Sequence, residues 1–326
     1  MAAITELQGE LTQQFRQIIA NDQLSQAYIF AGARGTGKEA LAQWIAQRLF
    51  CTNLQDGMPC GECAECKRIA SGNNPDVLTV RPDGLSIKTE AVRNLKEEMS
   101  KSSVEGHARV FIIEDADKMT VSAENSLLKF FEEPLPGMLI ILTTTAKNQL
   151  LPTVLSRAQI INFPAPARKL VLAQLRAGGV STHLAGLIAG ITSDIPGGIA
   201  LAADEEFTNR LGKILGLCSL LAKGDSLAFP YIQTDIVKQV TGRDEQRQVL
   251  QILGLVYSEA LSRSYGREPL VLPDSDALTE LSRQSSAQLA NALAVVLEGT
   301  GLLNSNVAFQ ALLEQLVLRI LKGSAA

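Results

Sequence analysis

The chain has 326 residues, of which 46% are hydrophobic and 20% are charged, a balance that excludes a disordered polypeptide and predicts two or three folded domains. Its formal net charge of −4 excludes a protein that holds nucleic acid through positive charge spread over its whole surface. No run of about 18 apolar residues occurs, and the first residues lack the apolar core of a secretory signal. We therefore expect a cytoplasmic protein whose contacts with DNA are local or made through partners.

The first elements follow one another in an informative order. Apolar residues spaced along one side predict a helix over residues 4–23. Residues 27–31 then form a short apolar run that stops at Gly32, and an amphipathic helical pattern follows over residues 39–49. This order predicts a strand, a glycine-rich loop and a helix.

Further apolar runs alternate with helical patterns as far as residue 163. Strands are predicted at residues 77–80, 110–113, 139–143 and 159–163, and helices at residues 89–102 and 122–131. Strands that alternate with helices are typical of an α/β domain in which a parallel sheet is covered by helices on both faces.

After residue 163 the strand pattern stops and only helical patterns remain. Short helices are predicted first, broken at Gly178-Gly179 and at Pro196-Gly197-Gly198, and longer amphipathic helices follow from about residue 205. These changes predict an α/β domain over residues 1–165, a small helical domain over 166–207 and an all-α domain over 208–326.

The glycine-rich loop carries a phosphate-binding pattern. Its candidate nucleotide-binding residues are Gly32, Gly35, Thr36, Gly37, Lys38 and Glu39. In a P-loop the glycines let backbone N–H groups turn toward phosphates, and the lysine reaches the terminal phosphates. The residue after the lysine is normally a Ser or Thr that holds Mg²⁺, whereas here it is an acid. We therefore expect nucleotide binding without efficient hydrolysis, the alternative being a glycine-rich turn with an unrelated lysine.

Two strand ends supply further candidates. Glu114 and Asp115 follow the strand at 110–113, where P-loop ATPases place a magnesium ligand and a water-activating base. The usual order is Asp and then Glu, so the candidate base is one methylene too short. The two acids are equally well explained as caps of a following helix. Thr144 could present its hydroxyl to a phosphate, although β-propensity alone favours threonine there.

Four of the five cysteines lie within 16 residues of one another. Cys51, Cys60, Cys63 and Cys66 have the spacing C-x8-C-x2-C-x2-C, and four thiolates can close a tetrahedron around Zn²⁺. A site with four protein ligands leaves no open position, so this zinc would be structural. Packing or redox pairing of the cysteines is the alternative, and Cys218 is expected in a helical core.

In their order, these motifs resemble the AAA+ clamp-loader family of bacterial DNA polymerase III. The resemblance covers about half of the chain and includes the phosphate loop and the cysteine cluster. Its other segments are Ser25–Phe30, Glu105-Gly106, Ile112–Met119, Asn125–Pro134 and Leu151–Arg157. It implies an ATPase-like domain bearing zinc, a helical lid and a helical collar, within a hetero-pentameric ring that contains the tau/gamma and delta subunits and acts on a sliding clamp and primed DNA.

The resemblance also assigns a role to Arg157. By spacing alone, an arginine just before a strand is a solvated charge. In the family, a Ser-Arg-Cys motif supplies an arginine finger to ATP on the neighbouring subunit, and Ser156-Arg157-Ala158 keeps the arginine. Active members also carry a basic nucleotide sensor in the lid, after a Pro-Gly or Ser-x-Gly turn, but here Ile199 follows Pro196-Gly197-Gly198.

These features predict a subunit that braces the ring and helps its neighbour to hydrolyse ATP, while its own ATPase activity is weak or absent. One alternative is an active motor subunit of the same ring, favoured by Lys38 and by the two acids. The other is a zinc-module DNA-binding protein, which the acidic net charge opposes. ATP with Mg²⁺ and structural Zn²⁺ are the candidate cofactors.

Overall fold

The computed structural model describes residues 4–84, 86–99, 108–267, 275–303 and 307–324. The Glu105-Gly106 segment of the sequence resemblance therefore lies outside the described residues. The chain divides into two compact units, Met1–Pro166 and Ala167–Ala326.

Strands and helices alternate in the first unit, as the sequence predicts. Its elements are α1 (Ile4–Leu7), α2 (Gly9–Ala20), β1 (Ala27–Ala31), α3 (Lys38–Phe50), α4 (Ala64–Ala70), β2 (Val77–Val80), α5 (Thr89–Met99), β3 (Arg109–Ile113), α6 (Val121–Glu132), β4 (Met138–Thr144), α7 (Pro152–Leu155) and β5 (Gln159–Asn162). Each predicted strand is confirmed to within one residue at each end. The single helix expected over residues 4–23 is wrong, because the helix is interrupted at Gln8 between α1 and α2.

The described strands form one parallel sheet in the order β2-β3-β4-β1-β5. Side chains alternate between its faces: Ile29 and Ile140 belong to one apolar cluster, and Tyr28, Phe30 and Ile141 belong to the other. Because both faces are buried, the strands read as continuous apolar runs rather than as alternating ones. The predicted α/β class with a doubly covered parallel sheet is confirmed.

Helices make up the second unit, as the sequence predicts. They are α8 (Arg168–Ala177), α9 (Thr182–Ile191), α10 (Ile195–Ala203), α11 (Glu205–Ala222), α12 (Ala228–Tyr231), α13 (Arg243–Ser264), α14 (Asp276–Leu281), α15 (Ser286–Leu302) and α16 (Phe309–Ser324). One apolar cluster runs through the unit from Val171 to Ile320 and includes Cys218. Gly178 ends α8, but Pro196 lies in the first turn of α10 and does not break a helix, since proline is well tolerated at the start of a helix.

None of the helices in the described residues combines the length and the apolar character needed to cross a bilayer.

The two units each bury a tyrosine, but the two hydroxyl groups differ. The Tyr28 hydroxyl accepts a hydrogen bond from the Ser25 backbone N–H at 2.9 Å. Tyr257, also 0% exposed, has a buried hydroxyl without a hydrogen-bond partner among the described residues. A buried polar group that lacks a partner costs its full desolvation penalty.

We expect Tyr257→Phe to raise the free energy of unfolding by about 1 kcal/mol, because it removes an unpaired buried hydroxyl. Tyr28→Phe is the matched control and should lower the free energy of unfolding by about 1 kcal/mol, since it leaves the Ser25 N–H unpaired. Denaturant unfolding of the full chain measures both. Equal losses in the two variants would contradict this assignment.

Candidate functional site

The predicted nucleotide-binding residues meet at one edge of the sheet. β1 lies between β4 and β5, and the parallel register pairs Ala31 with Thr144. Beyond the strand ends, the Gly32 N–H donates to the Thr144 carbonyl at 3.1 Å, and the Asp115 N–H donates to the Thr143 hydroxyl at 3.2 Å. The phosphate loop, the acidic pair and the threonine are therefore neighbours, at the edge where α/β proteins bind their ligands.

Lys38, the phosphate-loop lysine, bonds to its own loop. Its ammonium Nζ donates to the carbonyl oxygens of Gly32 at 2.9 Å and of Ala33 at 2.7 Å, and the residue is 1% exposed. Burial lowers the pKa of Lys38, while the negative charge of Glu39 and of Asp115 acts in the opposite direction. The group that would contact terminal phosphates is thus satisfied by the backbone.

The remainder of the loop is also closed by internal contacts. The Thr36 hydroxyl donates to the Ala33 carbonyl at 2.8 Å. Gly37 precedes α3 with a φ of +88°, which favours glycine, and a Cβ at this position would lie 2.8 Å from the Ile4 side chain. The Gln8 amide donates to the Thr36 carbonyl at 2.9 Å and to the Pro164 carbonyl at 2.8 Å. The start of the chain therefore packs on the phosphate loop.

The acidic pair is engaged by basic side chains. Both carboxylate oxygens of Glu114 accept from Arg81, at 2.9 and 3.1 Å. Asp115 accepts from Lys118 at 2.8 Å and lies 3.9 Å from Arg34 of the phosphate loop. Asp115 has a φ of +49°, a backbone conformation that aspartate tolerates better than most residues. These two carboxylates form ion pairs with protein groups at the same positions where a magnesium ligand and a base were predicted.

The Thr144 hydroxyl is hydrogen-bonded to Asp117, an acid that is not among the predicted site residues. The hydroxyl donates to Asp117 Oδ1 at 2.5 Å, and the same oxygen accepts from the Thr145 N–H at 3.1 Å. Thr144 is completely buried. The hydroxyl predicted to face a phosphate therefore faces a carboxylate, which an anion would have to displace. Asp117 lies 27 residues from Thr144, so local sequence carries no signal of this pair.

The four clustered cysteines come together as predicted. Cys51, Cys60, Cys63 and Cys66 place their sulfur atoms within 4.8 Å of one another. The Sγ atoms of Cys51 and Cys60 are 3.6 Å apart, and those of Cys51 and Cys63 are 4.0 Å apart. Zn–S bonds of about 2.3 Å in a tetrahedron place the sulfur atoms about 3.8 Å apart. The cluster can hold a metal ion of this size.

Backbone N–H groups point at the sulfurs. The Cys63 and Glu62 amides donate to Cys60 Sγ at 3.3 and 3.4 Å, and the Cys66 amide donates to Cys63 Sγ at 3.4 Å. These bonds lower the pKa of the Cys60 thiol and bring that of Cys63 to about 6, whereas burial raises the pKa of Cys66. The turn between Cys60 and Cys63 needs Gly61, whose φ is +73°. The donor set fits zinc, which binds thiolates.

The cysteine module is fixed to the sheet domain through α3. The Gln47 amide donates to the Cys66 carbonyl at 3.1 Å, and the Gln43 amide donates to the Ile69 carbonyl at 3.3 Å. Both carbonyls lie in α4, which begins directly after Cys63. A metal bound by the cysteines would therefore stabilise the packing of α4 on α3.

Arg157 lies apart from the phosphate loop, just after α7. Its side chain is 36% exposed, and its guanidinium Nη2 lies 2.7 Å from Glu132 Oε1. Nη1 donates to the Thr153 carbonyl at 3.0 Å and to the Ser156 hydroxyl at 3.3 Å. The arginine is therefore accessible from solvent and held in one direction. Glu132, its acidic partner, is another contact that the sequence analysis did not identify.

Comparisons with known proteins agree with this arrangement of motifs. The family model described as "DNA polymerase III, delta subunit" matches residues 7–167. DNA polymerase III subunit delta' of Bacillus subtilis is 37% identical over 324 residues, which cover 98% of each chain. DNA polymerase III subunit tau of the same organism is 31% identical over 157 residues, 48% of this chain and 28% of that protein.

Among solved structures, a gamma subunit-related protein of DNA polymerase III from Thermotoga maritima matches with a TM-score of 0.46 and 15% identity, over 96% of this chain and 99% of that one. The relationship that decides the family is the full-length one, since it extends through both units of the chain. The chain belongs to the delta' family of DNA polymerase III subunits.

Proposed function

We propose that this chain is a clamp-loader subunit that leaves its own nucleotide site inactive and supplies Arg157 to ATP bound by a neighbouring subunit. The observation that carries the proposal is the pair of hydrogen bonds from Lys38 to the carbonyls of Gly32 and Ala33. A working phosphate loop needs this ammonium for the phosphates. Here two of the three ammonium donors are already bonded to the loop, so a phosphate must compete with these carbonyls for the lysine.

Three further features support weak chemistry at the chain's own site. Glu39 puts a negative charge beside the position of the phosphates, and Glu114 is held by Arg81. The Thr144 hydroxyl is bonded to Asp117. Phosphoryl transfer depends mainly on positioned positive charge and bound Mg²⁺. Glu39 adds negative charge where positive charge is needed, and the bonds of Glu114 and Thr144 engage groups that would otherwise face Mg²⁺ or a phosphate.

The proposed partners follow from the relatives. Subunits named tau and tau/gamma match 48% and 83% of the chain, and we propose that this chain joins tau/gamma and delta in a hetero-pentameric ring. The ring would act on the sliding clamp and on primed DNA. Beyond the sheet domain, residues 166–207 would serve as the lid and residues 208–326 as the oligomerising collar.

The four-cysteine cluster is proposed to hold one structural zinc. Its support is the close approach of four sulfurs and the N–H groups that donate to them. A bound metal contributes its binding free energy to folding, since the unfolded chain has no preformed site. With four protein ligands the ion would stabilise α4 and take no part in hydrolysis.

The zinc prediction is tested by metal analysis of protein purified under reducing conditions without chelator. We expect about one zinc per chain, and Cys63→Ser should lose the metal and lower the melting temperature. Cys218→Ser is the matched control, because Cys218 lies in the helical core, and should keep its zinc. Wild-type protein without zinc would contradict the assignment.

The inactive-site prediction is tested with the isolated chain. We expect ATP turnover no faster than that of Lys38→Ala, because the lysine is already held by its loop and the magnesium position is an acid. A malachite-green phosphate assay on the two proteins measures this. Turnover that is clearly above background and is abolished by Lys38→Ala would favour an active motor subunit instead.

The arginine-finger prediction is tested in the assembled ring. Arg157→Ala should lower DNA-stimulated ATP hydrolysis by about tenfold or more, less than the roughly 10³–10⁵ of GTPase fingers. Arg157→Lys should rescue poorly, since an ammonium lacks the planar fork of a guanidinium. Arg93→Ala is the control, because Arg93 is an exposed arginine on α5 that pairs with Glu97. Normal clamp loading by the Arg157→Ala ring would contradict the proposal.

A further inference from the structure

The helix that precedes Arg157 is too short to define its own position. α7 has four residues, and its N-cap Leu151 provides no side-chain cap. A single helical turn is unstable in isolation because nucleation is costly. The direction of Arg157 must therefore be set by contacts from other elements.

The first of these contacts comes from the beginning of α6. Glu124 is 3% exposed, and its Oε2 accepts a hydrogen bond from the Leu151 N–H at 2.8 Å. Burial raises the pKa of Glu124, and the bond from Leu151 acts against this rise. The carboxylate thereby satisfies a backbone donor at the start of α7 that the short helix cannot satisfy itself.

The second contact comes from the end of α6. Glu132 is the last residue of α6, and its carboxylate lies 2.7 Å from the guanidinium of Arg157. Between the two contacts, Leu127 of α6 and Val154 of α7 are completely buried in the same apolar cluster. α6 therefore holds the α7 segment at both ends and packs against its middle.

We propose that α6 positions Arg157 for the neighbouring ATP, with Glu124 and Glu132 as positioning residues that act through the arginine. This inference rests on the proposed arginine-finger function. Glu124 fixes the backbone at Leu151, and Glu132 restricts the side chain of Arg157. A reacting group that is misplaced by about 1 Å can lose roughly 100-fold in rate, so a fixed guanidinium is worth more than a freely rotating one.

The ion pair is also weak enough to yield to phosphate. The side chains of Arg157 and Glu132 are 36% and 50% exposed, and exposed ion pairs contribute little stability because water and salt screen them. A guanidinium has five N–H donors, and the three contacts of Arg157 leave two of them for a phosphate. Glu132 therefore orients the guanidinium of Arg157 and still allows it to bind a phosphate.

The experiment measures kcat and KM for DNA-stimulated ATP hydrolysis by the full clamp-loader ring assembled with each variant. Glu124→Ala and Glu132→Ala should each lower kcat by about three- to tenfold with little change in KM, because they disturb a group that acts in the transition state. Glu124→Gln keeps an acceptor oxygen for Leu151 and should retain most of the wild-type rate. Glu133→Ala is the matched control, since Glu133 is an exposed acid adjacent to Glu132.

A double-mutant cycle separates positioning from general structural damage. If the two acids act through Arg157, adding Glu124→Ala or Glu132→Ala to Arg157→Ala should cause no further loss of kcat. A further loss in that background would overturn the inference, as would a Glu132→Ala ring that is faster than wild type. Melting temperatures check folding, and Glu132→Ala keeps the test decisive if Glu124→Ala fails to fold.

The same variants distinguish a failure of the proposed function from a failure of this inference. An Arg157→Ala ring with normal turnover would contradict the proposed function and this inference together. Reduced turnover in Arg157→Ala, with normal turnover in both Glu124→Ala and Glu132→Ala, would contradict this inference alone.

Discussion

The Lys38 ammonium lies against the carbonyl oxygens of Gly32 and Ala33, and this contact closes the phosphate loop on its own lysine. A buried ammonium must be compensated by hydrogen bonds, since an unpaired buried charge is very costly. Once the loop carbonyls supply that compensation, phosphates gain less from the lysine. The same edge of the sheet pairs Thr144 with Asp117 and Glu114 with Arg81, so its other polar groups are satisfied in the same way.

Lys38 and Arg157 differ in burial, and this difference bears on the proposed role of each. Lys38 is 1% exposed, and its ammonium bonds to two carbonyls of its own loop. Arg157 pairs with Glu132 at the surface, where an ion pair is worth about 0–1 kcal/mol. An incoming phosphate can therefore replace the partner of Arg157 at little cost, whereas at Lys38 it must compete with two backbone carbonyls of the phosphate loop. This difference favours a subunit whose chemistry is directed outward to a neighbour.

The cysteine module adds a second, independent source of local stability. α4 is short, and it is held to α3 by amide groups of Gln43 and Gln47. A metal bound by four thiolates would fix the turns that lead into α4 and so extend this attachment. Because four protein ligands would leave no open position, a metal in this module would support the fold and take no part in chemistry at the phosphate loop.

Much of this protein was determined by local sequence. Buried parallel strands are continuous apolar runs, so the strand positions and the α/β class could be predicted from hydrophobicity alone. The spacing of the four cysteines was sufficient to predict that they form a cluster, because four thiols within 16 residues can reach one another through short turns. The loop around Lys38 was likewise identified by its glycines and its place between a strand and a helix.

The partners of the polar groups were decided only by tertiary structure. Asp117 meets Thr144 across 27 residues, and Glu132 meets Arg157 across 25, because β4 and α7 return the chain to the same region. Gln8 likewise bonds to Thr36 and Pro164 from the break between α1 and α2, where sequence periodicity predicts one continuous helix. Periodicity reports which face of an element is apolar, but a hydrogen bond between distant residues depends on how the elements pack, and no local pattern encodes that packing.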